Sequence, residues 1–268
     1  MGGMSPIFWA KVSLHRLCRL WRWIVEDVED LLRTVSGLPP VVARRRLPGP
    51  SPYHCLLFSH ASPLVRNPAR AAEEYQANKI HNLRLAASSL DGVVVGPGQI
   101  FSFCRLVGRT TRGKGYLSAL TLIGDRMLPL TGGGLCQISN MIYWMALHLG
   151  MEIIERHRHS YDLFPDAGRA IPFGCGATVF YNYVDLRFRN TLSFPIFFRF
   201  RVTESCLEGE AYGTQRLPFS VRVFETDHAF YEGGSGKRRR NRVWKRVAAA
   251  GRPDMVELVA ENDCLVLY

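Results

Sequence analysis

The chain has 268 residues, 47% hydrophobic and 21% charged, a globular composition large enough for one sizeable core or two small ones and unlike that of a disordered tail. Thirty-four Lys and Arg against 23 Asp and Glu leave a net charge of +11, which favours an anionic partner (nucleic acid, acidic lipid or an acidic wall polymer) without choosing among them. Seven scattered cysteines without a CxxC pair exclude a zinc ribbon and a thioredoxin motif, and such usage suits a reducing compartment better than a disulfide-stapled exported domain.

From the N-terminus, residues 7–33 predict a helix, with Leu14, Leu17, Trp21, Ile24, Val28, Leu31 and Leu32 at helical spacing and Lys11, Arg16, Arg19 and Arg22 between them. Such a stripe is read as packing on its own domain, with a membrane-surface helix as the alternative. No run of 18 apolar residues and no signal-peptide pattern is present, so the expected location is the cytoplasm or the inner face of its membrane. Three segments are expected: the amphipathic helix at 1–33, a Pro- and Arg-rich linker at 34–52, and a main domain at 53–268.

Within the main domain, Leu83, Ala86, Ala87 and Leu90 predict a helix over 67–90, stopped by Asp91-Gly92. The string VVVGPGQIFSF then reads as strand, turn, strand, because Gly96-Pro97-Gly98 forces a reversal. Ile138, Met141, Ile142, Met145, Ala146 and Leu149 form a helical stripe closed by Gly150. Beyond Met151 the pattern turns to short β-branched and aromatic runs: EIIERHRHSYDLF, ATVFYNYVDLRFRN, FPIFFRFRV, PFSVRVFE, NRVWKRV and CLVLY. The expected class is α+β, with N-terminal helices and a central Cys-bearing helix packed on a mainly antiparallel, β-rich C-terminal half. The basic run from Lys237 to Arg246 is expected on a solvated loop or strand edge. Without a reading motif beside those charges, nucleic-acid binding is not expected.

The candidate functional centre is GGGLCQISN, where three glycines bring Cys136 to the first turn of the central helix. Free N–H groups and the positive end of the helix dipole favour a thiolate there, lowering a thiol pKa from about 8.5 to as little as roughly 3.5–7.5. At about 100° per residue, Cys136 lies roughly 160° from Ile138, on the face shared by Asn140 and Tyr143. A packed cysteine is the competing reading. A phosphate cradle is not favoured, because no Gly-Lys-Ser/Thr follows the glycines.

Alternation along an extended ERHRHS places Glu155, His157 and His159 on one face, which makes the histidines candidate bases for the thiol. Asp185 is the candidate orienting carboxylate, with Asp162 and Asp166 behind it. Gly133, Gly134, Gln137, Ser139, Asn140 and His157 are candidate substrate-binding positions. A His-x-His metal site with Cys136 lacks a clear further ligand, so no metal or cofactor is expected. Cysteine on a helix, histidine on the next strand and a carboxylate beyond resembles papain-like and transglutaminase-like sites in arrangement.

The strings HNLRLAASSLDGVVVGPGQIFSF, GGGLCQISNMIYWMALHLGMEIIERHRHS and FPDAGRAIPFGCGATVFYNYVDLRFRN are similar in order and spacing to the VanW family, over roughly residues 75–200. The resemblance implies a link to glycopeptide resistance or cell-wall metabolism, with a peptidoglycan peptide or precursor as partner. It also implies an acyl transfer of L,D-transpeptidase type, with Cys136 as nucleophile, His159 as base and the N–H groups of Cys136 and Gln137 as oxyanion hole. A non-catalytic accessory that binds a precursor, an anionic membrane surface or a protein is the other implication. This chain carries Gly176-Ala177-Thr178 where the family commonly has Asp-Ala-Thr.

Overall fold

A computed structural model describes residues 6–45, 52–65, 72–123, 126–158, 161–162, 171–234 and 236–268. The fold is α+β. In chain order the helices are α1 (Pro6–Val35), α2 (Glu73–Leu90), α3 (Phe103–Val107) and α4 (Cys136–His148). The strands are β1 (Arg44–Arg45), β2 (Cys55–Pro63), β3 (Val93–Val95), β4 (Ile100–Ser102), β5 (Ser118–Ile123), β6 (Arg126–Thr131) and β7 (Glu152–Glu155). They continue as β8 (Tyr161–Asp162), β9 (Arg187–Arg189), β10 (Ile196–Val202), β11 (Cys206–Gly213), β12 (Phe219–Gly233), β13 (Gly236–Ala249) and β14 (Met255–Val266).

One sheet has the order β1-β3-β10-β11-β2, a second β12-β13-β14-β8, a third β4-β9-β7, and β5 and β6 pair as a hairpin. The described strand pairs are antiparallel apart from β14 with β8. Within residues 34–52, Val42 and Ala43 are buried and Arg44 pairs with Val94.

Helix α2 buries Leu83, Ala86, Ala87 and Leu90 and ends where the Asp91 N–H donates to the Ala87 carbonyl, with Gly92 at φ +82°. The Gly96-Pro97-Gly98 turn separates β3 from β4 as expected, yet the two strands do not pair. The turn passes the chain from the five-stranded sheet to the three-stranded one, and Gln99 Oε1 accepts from the Gly96 N–H at 2.7 Å to hold it.

Helix α4 lies at the centre of the core. Beyond its stripe of Ile138, Met141, Ile142 and Met145 it also buries Tyr143, Trp144 and Leu147, because β2, β11, β12 and α2 surround it.

Two sequence expectations are corrected by the packing. The basic run from Lys237 to Arg246 is not a loop or an edge: it lies in β13, flanked on both sides by β12 and β14. Its cations pair with acidic neighbours, Arg238 with Asp263 at 2.8 Å, Arg242 with Glu261 at 2.8 Å and Lys245 with Glu257 at 2.5 Å, and Arg239 is buried against Asp162 at 3.0 Å. A run this basic is accommodated inside a sheet because the neighbouring β14 carries Glu257, Glu261 and Asp263.

Helix α1 packs on its own domain, but through its polar face. Arg19 is buried against Glu155 and lies 3.7 Å from Asp185, while Glu26 meets Arg187 and Arg105. Asp27 meets Arg105, and Asp30 meets Arg44 and accepts the Val41 N–H. The apolar stripe that predicted the helix faces outward.

Candidate functional site

The Gly-rich turn is shaped by close approach of backbones. Gly132 and Gly134 adopt φ +80° and +88°, where only glycine is unstrained. A Cβ on Gly133 would stand 2.0 Å from the Ala119 carbonyl oxygen of β5, so that position admits no side chain. Asn82 on α2 donates to the Gly133 and Leu117 carbonyls at 3.0 and 2.9 Å and accepts from the Leu117 N–H, fastening the turn to helix and hairpin. The chain therefore enters α4 at Cys136, as the sequence predicts.

Residues 176–179 lie along the start of α4. The Ser139 hydroxyl donates to the Ala177 carbonyl at 2.6 Å, and Asn140 Oδ1 accepts the Ala177 N–H at 2.7 Å. On the other side, Thr178 bridges to His157 and its N–H donates to the His157 carbonyl at 2.7 Å. Arg156 donates to the carbonyls of Gly174 and Gly176 and stacks its guanidinium on the Tyr143 ring at 4.9 Å. A Cβ on Gly176 would lie 3.1 Å from Asn140 Oδ1, so a side chain at this position would point at the α4 face that carries Cys136.

Cys136, Gln137 and Asn140 line a cavity of about 570 Å³, together with Gly134, Lys79 and Arg158. That size suits a small peptide or similar ligand. Asn262, Cys264 and Leu267 of the C-terminal strand and its end close one wall, and Ile171–Gly176 another. Gln137 Nε2 donates to the Pro63 carbonyl at 2.8 Å and to Ser62 at 3.0 Å, which fixes its amide at the rim. Arg158 donates to the Glu261 carbonyl at 2.6 Å and to Asn262 Oδ1 at 2.9 Å. The lining Asp162 is paired with Arg239.

The electrostatics of Cys136 reverse the expectation from the helix end. Burial pushes its thiol pKa above the ordinary value, outweighing the amides of Val179 and of Cys136 itself, which favour the thiolate.

Of the predicted partners, the two that lie among the described residues, His157 and Asp185, are not brought to this thiol. His157 turns its Nε2 to Glu155 Oε1 at 3.1 Å, on the face that meets α1. Asp185 is fully buried and accepts from the Ser102 hydroxyl at 2.6 Å and from the Cys104 and Leu186 amides at 2.9 and 2.8 Å. Its carboxylate serves the start of α3 and faces Arg19, so it is not the carboxylate that orients a base for Cys136. His159 and Asp166 lie outside the described residues. Of the substrate-binding candidates, Gly134, Gln137 and Asn140 line the cavity, Gly133 and Ser139 lie buried beneath it, and His157 is elsewhere.

Burial raises the Asp185 carboxyl against the pull of Ser102 and the Cys104 amide, and burial together with the Asp185 charge holds the Cys104 thiol well above the ordinary range. Burial would also raise Glu155, but hydrogen bonds from His157 and Arg19 and the Arg19 charge hold it well below the usual carboxylate range.

The residues that the sequence reading missed are Lys79, Arg156 and Arg158. The alternation that groups Glu155 with His157 puts Arg156 and Arg158 on the opposite face, and that face turns to the cavity and its wall. Lys79 follows Gln76 on α2 by three residues, so both reach the same side.

Comparison with known proteins finds relatives over the part of the chain that holds this region. A family model described as VanW like protein matches residues 78–212. The chain is 28% identical over 196 residues to the vancomycin B-type resistance protein VanW of Enterococcus faecalis, which covers 72% of this chain and 71% of that protein. It is 34% identical over 125 residues to the uncharacterized protein YoaR of Bacillus subtilis, 46% of this chain and 39% of YoaR. No solved structure matches the chain.

Proposed function

This chain belongs to the VanW family, and from that premise we propose that it acts in glycopeptide resistance by binding a peptidoglycan stem peptide or precursor in the cavity beside Cys136. The observation that carries this reading is the cavity itself, about 570 Å³ with cations at Lys79 and Arg158 and amide side chains at Gln137 and Asn140. Paired amides and cations suit a peptide that ends in a carboxylate. The name of the Enterococcus faecalis relative supports the link to vancomycin resistance.

Binding is placed ahead of covalent chemistry because burial raises the Cys136 thiol above its ordinary value and His157 and Asp185 are engaged with other residues, while His159 lies outside the described residues. A second reading, cysteine-dependent acyl transfer, draws on the place of Cys136 at the start of α4 with the Val179 amide at its sulfur.

Calorimetric titration with a synthetic stem pentapeptide tests both. We expect saturable binding that Cys136→Ser retains and Arg158→Gln weakens about tenfold, the loss of one charged hydrogen bond. Absence of binding to the native protein sinks the proposal. A peptide-derived mass adduct on Cys136, missing in Cys136→Ser, would transfer the assignment to acyl transfer.

A further inference from the structure

Helix α1 is docked inside out. Val12, Arg19, Glu26 and Asp30 face the domain and are buried and Trp23 is half-buried against Tyr181, whereas ten large apolar side chains between Leu14 and Val35 are exposed, from 42% at Leu20 to 81% at Val35. At about 100° per residue these side chains cover an arc of about 140° that contains no Lys, Arg, Asp or Glu. A monomer in water rarely leaves so continuous an apolar face uncovered.

We infer that the outward face of α1 lies on an anionic lipid surface. A second copy of the helix is the competing occupant, since Leu14, Leu17, Trp21, Ile24, Val28 and Leu31 also follow a heptad rhythm. In a paired coil, however, the positions flanking that seam are ordinarily charged, and here they carry Cys18, Leu20, Val25, Leu32 and Thr34, with Asp27 the one charge among them and already paired with Arg105 of the same chain. The result is a broad, flat apolar face of the width seen in helices that lie in a bilayer interface, and Trp21 within it is suited to that boundary.

Charge favours the same occupant. The acids of α1 are matched by cations, Glu26 by Arg187, Asp27 by Arg105, Glu29 by Arg33 and Asp30 by Arg44, so on a chain of net charge +11 they meet acidic headgroups as ion pairs rather than as bare negative charges. No described helix is long and apolar enough to cross a membrane, so α1 would lie on the surface, its polar face toward the domain.

The test is sedimentation of the full chain with vesicles of mixed phosphatidylglycerol and phosphatidylcholine, against phosphatidylcholine alone. Binding should favour the anionic vesicles, weaken with salt, and fall at least about tenfold in Leu17→Glu/Ile24→Glu, whose sites are exposed in the folded protein. In the native fold, brominated lipid should quench tryptophan emission, and Trp21→Phe should lose most of that quenching. Failure to bind either vesicle, unchanged binding by the double variant, or quenching that survives Trp21→Phe overturns the inference. So does a dimer in sedimentation equilibrium that the same substitutions dissociate, which would assign the face to a second copy.

Discussion

At Cys136, helix-end physics and burial act on the same proton in opposite directions, and burial wins. The N-terminus of α4 and the Val179 backbone offer amides to the sulfur, but its surroundings at the cavity wall are dry enough that an unpaired charge is costly. Alkylation rates follow directly from this, because only the thiolate reacts. At neutral pH, Cys136 should label no faster than Cys18, which is exposed on α1. Its rate should then climb as pH rises beyond the ordinary thiol range. Peptide-mapped labelling across a pH series measures this, and preferential modification of Cys136 at pH 7 would mean that the amides outweigh burial after all.

At the scale of elements, the docking of α1 rests on a polar cluster in which Glu155 receives Arg19, Arg22 and His157. Removing one member leaves the buried Arg19 short of a counter-ion, so Glu155→Gln should cost about 3 kcal/mol at pH 7. The pH dependence has a defined sign. Glu155 has a lowered folded pKa, so its contribution is present above the ordinary carboxyl range and is lost as pH falls through that range and below. Asp185, raised by burial, acts in the opposite direction and recovers part of that loss in acid. Urea unfolding of both proteins should therefore show a gap that is widest near neutrality and narrows in acid, and a gap independent of pH would place the effect in packing. The same helix shows what was legible in the sequence. Period 3.6 located α1, α2 and α4, and the Asp91-Gly92 stop was visible, yet periodicity says only that a helix has two faces and not which one turns inward. For α1 the answer depends on Glu155, Asp185 and Arg187, which lie far along the chain. β11 was not expected because its inward residues are Leu207, Gly209, Ala211 and Gly213, too small to register as an apolar alternation. The cysteine turn was readable from local chemistry. The partners of Cys136 were not, since strand alternation pairs Glu155 with His157 without saying which face meets α4.

Across the whole molecule, the cavity depends on strands far from the Gly-rich turn in sequence. The family match ends at residue 212, yet Asn262, Cys264 and Leu267 form part of the wall. Asn262 is the joint: its amide donates to Asn241 Oδ1 at 2.8 Å, its own Oδ1 accepts from Arg158 at 2.9 Å, and Asn241 donates onward to the Phe173 carbonyl at 2.9 Å. Gly174 sits so close that a Cβ there would be 1.9 Å from Asn262 Nδ2, which packs the 171–176 wall against the sheet. Asn262→Ala should therefore act on stability and binding together. Loss of a buried hydrogen-bonded amide costs about 1–3 kcal/mol, and Arg158 loses the contact that aims it along the cavity rim. Unfolding midpoints and stem-peptide titration on the same variant separate the parts. A drop in both is the outcome expected if β13 and β14 shape the site. A drop in stability with unchanged affinity would make the C-terminal sheet a buttress whose removal the cavity tolerates, and would move the positioning of Arg158 to the Glu261 carbonyl alone.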